Sequence, residues 1–210
     1  VATSQGGGVA VGIGQLILQD GQISGNSAPR GGGLYLQTTA AQLYGLGGVV
    51  ADNHAPNGDG GGLLIDAGRA TISGGQYARN DAYSYGGGVA SNGTLSISGP
   101  TLIVSNTSNS ELGGGGGVAL LSGQATLGTG VIISGNKSLF GPGGGLYSTT
   151  PLMITGVKFI GNVAQIGGGG GTYLGSTGDT RIVNSLFARN AASFGAGLSL
   201  NSTGHTTLLY

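Results

Sequence analysis

The 210 residues carry seven Lys+Arg against seven Asp+Glu; charged residues make up 7% of the chain and glycine fills 50 positions, where an ordinary domain has roughly 25% charge and 7% glycine. So few cations exclude a basic nucleic-acid binder, and zero Cys excludes a disulfide framework, a thiolate metal site and a cysteine nucleophile. Five prolines are too few for collagen, and a mean hydropathy of +0.20 is too apolar for a disordered chain.

The chain opens on Val1-Ala2-Thr3. No basic stretch leads into an apolar one, so no signal peptide is read, and no apolar run is long enough for a membrane helix. From Gly6 a single unit is copied along the chain. Gly6-Gly7-Gly8 begins it, a short apolar segment follows, then Leu16-Ile17-Leu18, a turn at Asp20-Gly21, and Ile23-Ser24-Gly25-Asn26. The glycine triplet returns at Gly31, Gly60, Gly86, Gly115, Gly143, Gly169 and, as Gly195-Ala196-Gly197, at Gly195. An apolar-x-x-Asn motif keeps phase with it, ending at Asn26, Asn53, Asn80, Asn106, Asn136, Asn162 and Asn190. A small residue follows two places later: Ala28, Ala55, Ala82, Ser108, Ser138, Ala164 or Ala192. A gap of variable length then leads to the next triplet.

Within each copy, segments such as Leu34-Tyr35-Leu36, Ala70-Thr71-Ile72 and Leu95-Ser96-Ile97 have the period of a strand, with glycine-rich punctuation and no helical period. Three short strands per unit of 25–30 residues, copied about seven to eight times, predict an all-β fold: a right-handed parallel β-helix (β-solenoid) over residues 1–210. No single unit can bury its own apolar residues, so the core forms by stacking. Equivalent residues then lie above one another at the ~4.8 Å strand spacing. A column of asparagines can hydrogen-bond along the axis, which makes a buried amide tolerable.

The two motifs resemble the Gly-Gly-Ala-(Ile/Leu/Val) and Phe-x-x-Asn repeats of chlamydial-type polymorphic outer-membrane proteins, and related β-helix repeats of large bacterial surface proteins. Phe159-Ile160-Gly161-Asn162 and Phe187-Ala188-Arg189-Asn190 match the second motif; Gly195-Ala196-Gly197-Leu198 and Gly31-Gly32-Gly33-Leu34 approximate the first. The resemblance covers nearly the whole chain and implies the passenger repeats of an autotransporter or adhesin, outside the cell. The membrane barrel that such proteins carry is not read in these residues. The phase of the two ends, Val1-Ala2 and Leu208-Leu209-Tyr210, predicts a segment of a longer rod or a subunit that stacks head to tail.

Stacking lines up the chemistry. Flanking the asparagines, Asp52 falls near Arg79 and His54 near Asp81, with Asp59 on the adjoining loop. This is the densest ionisable cluster: either an acid/base or sugar-binding site, or two exposed ion pairs of roughly 0–1 kcal/mol each. Asp20, Asp66, Glu111 and Asp179 fall in different rungs and turns, which argues against the paired carboxylates of a polysaccharide-degrading β-helix. Asn57-Gly58-Asp59-Gly60 occurs once, whereas a calcium-binding nonapeptide repeat recurs, so no metal is expected. The middle of the first strand is expected to face outward, giving a candidate contact stripe that includes Tyr35, Leu64, Tyr147 and Tyr173. Thr71, Thr94, Thr126 and Thr180 recur without the regular partners of an ice-binding row.

These readings predict a non-enzymatic extracellular structural protein: a surface rod, filament subunit or adhesin stalk. The alternatives are a carbohydrate-binding or polysaccharide-degrading β-helix and, third, an ice-binding solenoid. No cofactor is expected. The expected partners are further copies, head to tail or lateral, or continuation of the same polypeptide, with surface glycans as another candidate; no nucleic acid and no transmembrane segment are expected.

Overall fold

The computed structural model describes residues 4–209, so Val1 and Ala2 at one end and Tyr210 at the other lie outside the described residues. Every strand pairing is parallel, and each strand bonds to its equivalent one copy away. The result is a β-solenoid of about seven turns, with no helix among the described residues.

Sheet one collects the eight segments after the triplets, from Val9–Val11 through Leu34–Leu36 and Leu63–Ile65 to Leu198–Leu200. Sheet two has eight strands, from Gly14–Leu18 to Thr206–Leu209, and sheet three has seven, from Gln22–Ser24 to Leu186–Ala188. These are the three expected strands of each rung. A fourth sheet of six strands follows the asparagines. Four of its strands have only two residues, such as His54–Ala55 and Lys137–Ser138, too short for a strand period to be legible. Its second position is the small-residue column. Ala28, Ala55, Ala82, Ser108, Ser138 and Ala164 are all buried, because the wall there closes on the core and leaves no room for a longer side chain.

Alternation places the core. Leu34, Leu36, Leu63 and Ile65 enter from sheet one, Leu43, Ile72, Leu95 and Ile97 from sheet two, and Val50, Tyr77, Ile103, Ile133 and Phe159 from sheet three. Fully burying each aliphatic or aromatic side chain of this kind stabilises by roughly 1.5–3 kcal/mol. Because the pairing is in register, like packs on like. The Phe159 and Phe187 rings stack at 4.9 Å and 6°, close to the strand spacing. Tyr77 is a different case. Its hydroxyl is buried with no hydrogen-bond partner and reaches toward Gly45, where an added Cβ would be 3.3 Å from the phenol oxygen. Sheet two carries Leu18 and Ile72 on either side of Gly45 in that column, so the glycine makes room for the tyrosine.

Two corners explain the two motifs. Gly31 has φ +63, which opens the turn, while a Cβ on Gly33 would meet the Gly62 carbonyl oxygen at 2.6 Å and Asn53 Nδ2 at 2.8 Å. The triplet is therefore glycine for two reasons: left-handed backbone at the first position and rung-to-rung contact at the others. The second corner lies just before each asparagine, where Asp52, Arg79, Ser105 and Arg189 adopt φ between 50 and 56. A non-glycine residue there costs about 1–2 kcal/mol, and the asparagine bonds that follow hold it in place.

Candidate functional site

The asparagine column forms a continuous ladder. Asn26, Asn53, Asn80, Asn106, Asn136 and Asn162 each donate from Nδ2 to Oδ1 of the next, ending on Asn190, at 2.9–3.1 Å. Each accepting Oδ1 also takes the backbone N–H of the same donor residue. The second Nδ2 hydrogen goes to a backbone carbonyl, for example Asn106 to Tyr77 O at 2.9 Å. Both donors and the acceptor of the amide are thus employed in the interior of the ladder, which is what burial demands.

The stripe expected to face solvent does not do so along its length. Tyr35 is 3% exposed and Leu64 0%, and with Ala90 they form a small apolar cluster outside the main core. The cause is the glycine corner: the first glycine of each triplet folds back over the middle of the strand it introduces. A Cβ on Gly60 would lie 2.7 Å from Leu64 Cβ. Tyr147 and Tyr173 are half-buried and stacked at 5.6 Å and 9°. Tyr85, from the loop before Gly86, joins them at 5.6 Å and 31° from Tyr147. Burial, then the neighbouring Tyr85 and Tyr173, raise the Tyr147 phenol above its ordinary value. These rings turn their faces to one another along the axis, so Tyr147 has no free face on which a sugar ring could stack.

The ionisable cluster resolves into two separate pairs on adjacent rungs. Arg79 grips Asp52 with two bonds, Nε to Oδ1 and Nη2 to Oδ2, both 2.8 Å, in the open. The hydrogen bond from Arg79 holds the Asp52 carboxyl below the usual range. His54 Nδ1 lies 2.7 Å from Asp81 Oδ2, and Asn109 donates to the same carboxylate through Oδ1. Ser27 bridges to His54 along the column, but no hydrogen bond joins the Ser27 hydroxyl to the imidazole among the described residues, so the three do not form a nucleophilic triad.

A further polar group was not legible as a unit. Arg30 Nη2 reaches Asp59 Oδ2 at 3.4 Å and Asp66 Oδ1 at 3.3 Å, and the Tyr35 hydroxyl donates to Asp66 Oδ2 at 3.0 Å. The Tyr85 N–H donates to Asp59 Oδ1 at 3.1 Å. Asp59 therefore joins Arg30, and Asp66 is drawn in from the next rung, pairing with Arg30 rather than with Arg69 of its own rung. The available signal was the slot just before each triplet, which reads Arg30, Asp59, Tyr85 in successive copies. Among the described residues no three His, Cys, Asp or Glu gather as a metal site would require.

On sheet two, Thr71 and Thr126 share one outward column with Ser96 between them, while Thr94 lies two residues away from that column and Thr180 is buried. That is not a regular threonine array. Of the large exposed apolar residues near the contact stripe, Tyr83, Leu112 and Phe140 lie on the loops between sheet four and the triplets, while Ile166 and Phe194 lie in the sheet-four strands Val163–Gly168 and Ala191–Phe194. Comparison with protein-family models, with curated proteins and with solved structures finds no match to this chain.

Proposed function

We propose that this chain is a non-enzymatic structural element of a protein outside the cell, acting as the rod of a surface filament or adhesin stalk. The observation that carries the reading is the asparagine ladder, seven residues long and bonded at every step, running beside four parallel sheets. Such a stack resists separation of rungs because each step must break backbone and amide bonds together. The resemblance of Phe159–Asn162 and Phe187–Asn190 to surface-protein repeats supports the same location. The disposition of charge supports the structural role: Asp52, Asp59, Asp66 and Asp81 each face a cationic or titratable partner, an arrangement that fastens rungs to one another.

The test is antibody labelling of intact and permeabilised cells that produce the protein. Labelling of intact cells is expected. Labelling that requires permeabilisation would refute the extracellular reading.

A further inference from the structure

The equal charge totals hide an uneven distribution. Through Glu111 the chain carries three cations and six anions, net −3; beyond Glu111 it carries four cations and one anion, net +3. In the first half most carboxylates are engaged: Asp52, Asp59, Asp66 and Asp81 pair with Arg79, Arg30 and His54. In the second half Asp179 lies beside His205. Lys137, Lys158, Arg181 and Arg189 make no ion pair among the described residues.

Three of these four cations flank one corner, on three consecutive rungs. Lys137 follows Asn136 and opens a sheet-four strand. Lys158 opens the sheet-three strand Lys158–Ile160 of the next rung. Arg189, one rung farther, holds the positive-φ position before Asn190. With ~4.8 Å per rung and ~3.3 Å per residue, Arg189 lies roughly 11 Å from each of the other two, measured between backbones. The corner between them is bare. Gly135 and Gly161 occupy the place of Arg189 in the two preceding rungs, and a Cβ on Gly161 would meet nothing within 4 Å. On the sheet-four side the corner opens into a trough of about 290 Å³, with Val163 and Ala191 as its floor and Gln165 and Ser193 beyond them. Register sets Lys137 in the column of Val163 and Ala191, at the end of that floor. The volume is at the small end of ligand cavities and suits one sugar unit of a longer chain.

The charges select the occupant. Unpaired cations gathered on one side attract an anion. Their spacing matches a chain with charges at intervals better than one compact ion. The acidic half of a second copy is a poor candidate, since its free carboxylates are only Asp20 and Glu111. A flat bilayer cannot touch both walls of a corner at once. An added peptide strand would need free backbone groups, and the Val163 and Ala191 N–H groups are spent on Asn136 O and Asn162 O. A glycan needs none: its ring edges use hydroxyls and amides such as Ser193 and Gln165, and its apolar face rests on Val163 and Ala191.

We infer that the corner formed by Lys137, Lys158 and Arg189, with the adjoining sheet-four trough, is a binding site for an acidic polysaccharide chain. The inference rests on the reading of this chain as an element outside the cell and names the ligand class that such an element would hold.

Fluorescently labelled polygalacturonate titrated with the full chain is the test. Binding is expected at about 50 mM salt and is expected to weaken roughly ten-fold at about 200 mM, as release of counterions from three contacts requires. Lys137→Thr, Lys158→Gln and Arg189→Gly install the residues that equivalent positions already carry, Thr107, Gln76 and Gly161, so the circular dichroism melt is expected to stay unchanged. The triple variant is expected to bind at least ten-fold more weakly. Lys137→Thr with Arg189→Gly is compared with Arg69→Gln plus Arg181→Gln, which removes the same charge from sheet two and is expected to change affinity less than about two-fold. No binding by the native chain overturns the proposal, as does an equal loss in the two double variants, which would reduce the effect to net charge. Neutral dextran binding as tightly as polygalacturonate overturns it too. Tighter binding to polyglutamate or to phosphatidylglycerol vesicles, lost in the triple variant, overturns the glycan in favour of an acidic peptide or a membrane. A chain that labels intact cells yet ignores polygalacturonate loses this site and keeps the structural reading; one that binds polygalacturonate but labels only permeabilised cells keeps the site and loses the extracellular reading.

Discussion

Truncating one asparagine in the middle of the ladder gives the sharpest test of how the solenoid is held. Asn106 is fully buried and makes four bonds through its amide. Its Oδ1 accepts the Asn80 N–H at 2.9 Å and Asn80 Nδ2 at 3.0 Å; its Nδ2 donates to Tyr77 O and Asn136 Oδ1, both at 2.9 Å. In Asn106→Ala, Asn136 Oδ1 keeps the Asn106 N–H as a donor. Asn80 fares worse, since a backbone N–H and one amide hydrogen lose their acceptor in a dry site. Each orphaned donor costs about 1–3 kcal/mol, so a loss of about 4 kcal/mol is expected, a large share of the roughly 5–15 kcal/mol that holds a typical domain together. Asn190 accepts the same two bonds from Asn162 but is half-buried. Water can replace its oxygen, and Asn190→Ala is expected to cost about 1 kcal/mol.

Guanidinium denaturation supplies the free energies, with amide exchange to locate the damage, because solenoids can open locally. The Asn80 amide should lose protection first. An Asn106→Ala cost below about 1 kcal/mol, or equal costs at the two positions, would refute the ladder as a stabilising element. Asn106→Asp adds a pH signature. A buried carboxyl facing Tyr77 O and Asn136 Oδ1 is favoured in its protonated form, which raises its folded pKa above the ordinary value near ~4. The sign follows: the variant is most stable in acid and loses stability as pH rises through that raised pKa.

Three further outcomes follow from other parts of the stack. Tyr77→Phe removes a buried hydroxyl that has no partner and is expected to stabilise by about 1 kcal/mol; a lower melting temperature would show that an unseen water satisfies it. Gly33→Ala forces a Cβ to within 2.6 Å of Gly62 O and is expected to cost about 2–3 kcal/mol. Gly25→Ala meets nothing within 4 Å at φ +68 and is expected to cost about 1 kcal/mol; equal losses would mean that backbone strain alone dictates the glycines. Because the Asp52 carboxyl is depressed by Arg79, its contribution is present above the ordinary carboxyl value and disappears as pH falls through the lowered one. Melting between pH 5 and pH 2.5 should therefore narrow the gap between the native chain and Asp52→Asn, and 1 M salt should close it, since the pair is exposed.

The sequence exposes those positions where one rung's backbone touches the next. Gly33 and Asn53 recur in every copy because the Gly62 carbonyl and the Asn80 amide leave no alternative, and a requirement repeated seven times is visible as a column. Asp52–Arg79 and His54–Asp81 were legible for the same reason: each joins equivalent slots of adjacent copies. Arg30–Asp66 was not, because it spans 36 residues and joins unlike slots.

The exposure of the first strand was misjudged on a related ground. Alternation tells which side of a sheet a residue occupies, and Tyr35 and Leu64 do lie on the side away from the main core. It says nothing of what lies above that side. The cover comes from the loop entering the triplet, which turns back over Leu64 because Gly60 has φ +67. Once that cover is drawn, solvent meets the loops before it meets the strand. The loops vary in length, which hides their pattern from a count forward of each asparagine, although Tyr83, Leu112, Phe140 and Ile166 each stand three residues before a triplet. That same freedom allows them to carry large apolar side chains such as Leu112 and Phe140 outward. The exposed apolar side chains therefore belong to the part of the repeat whose residue types the stacking does not dictate.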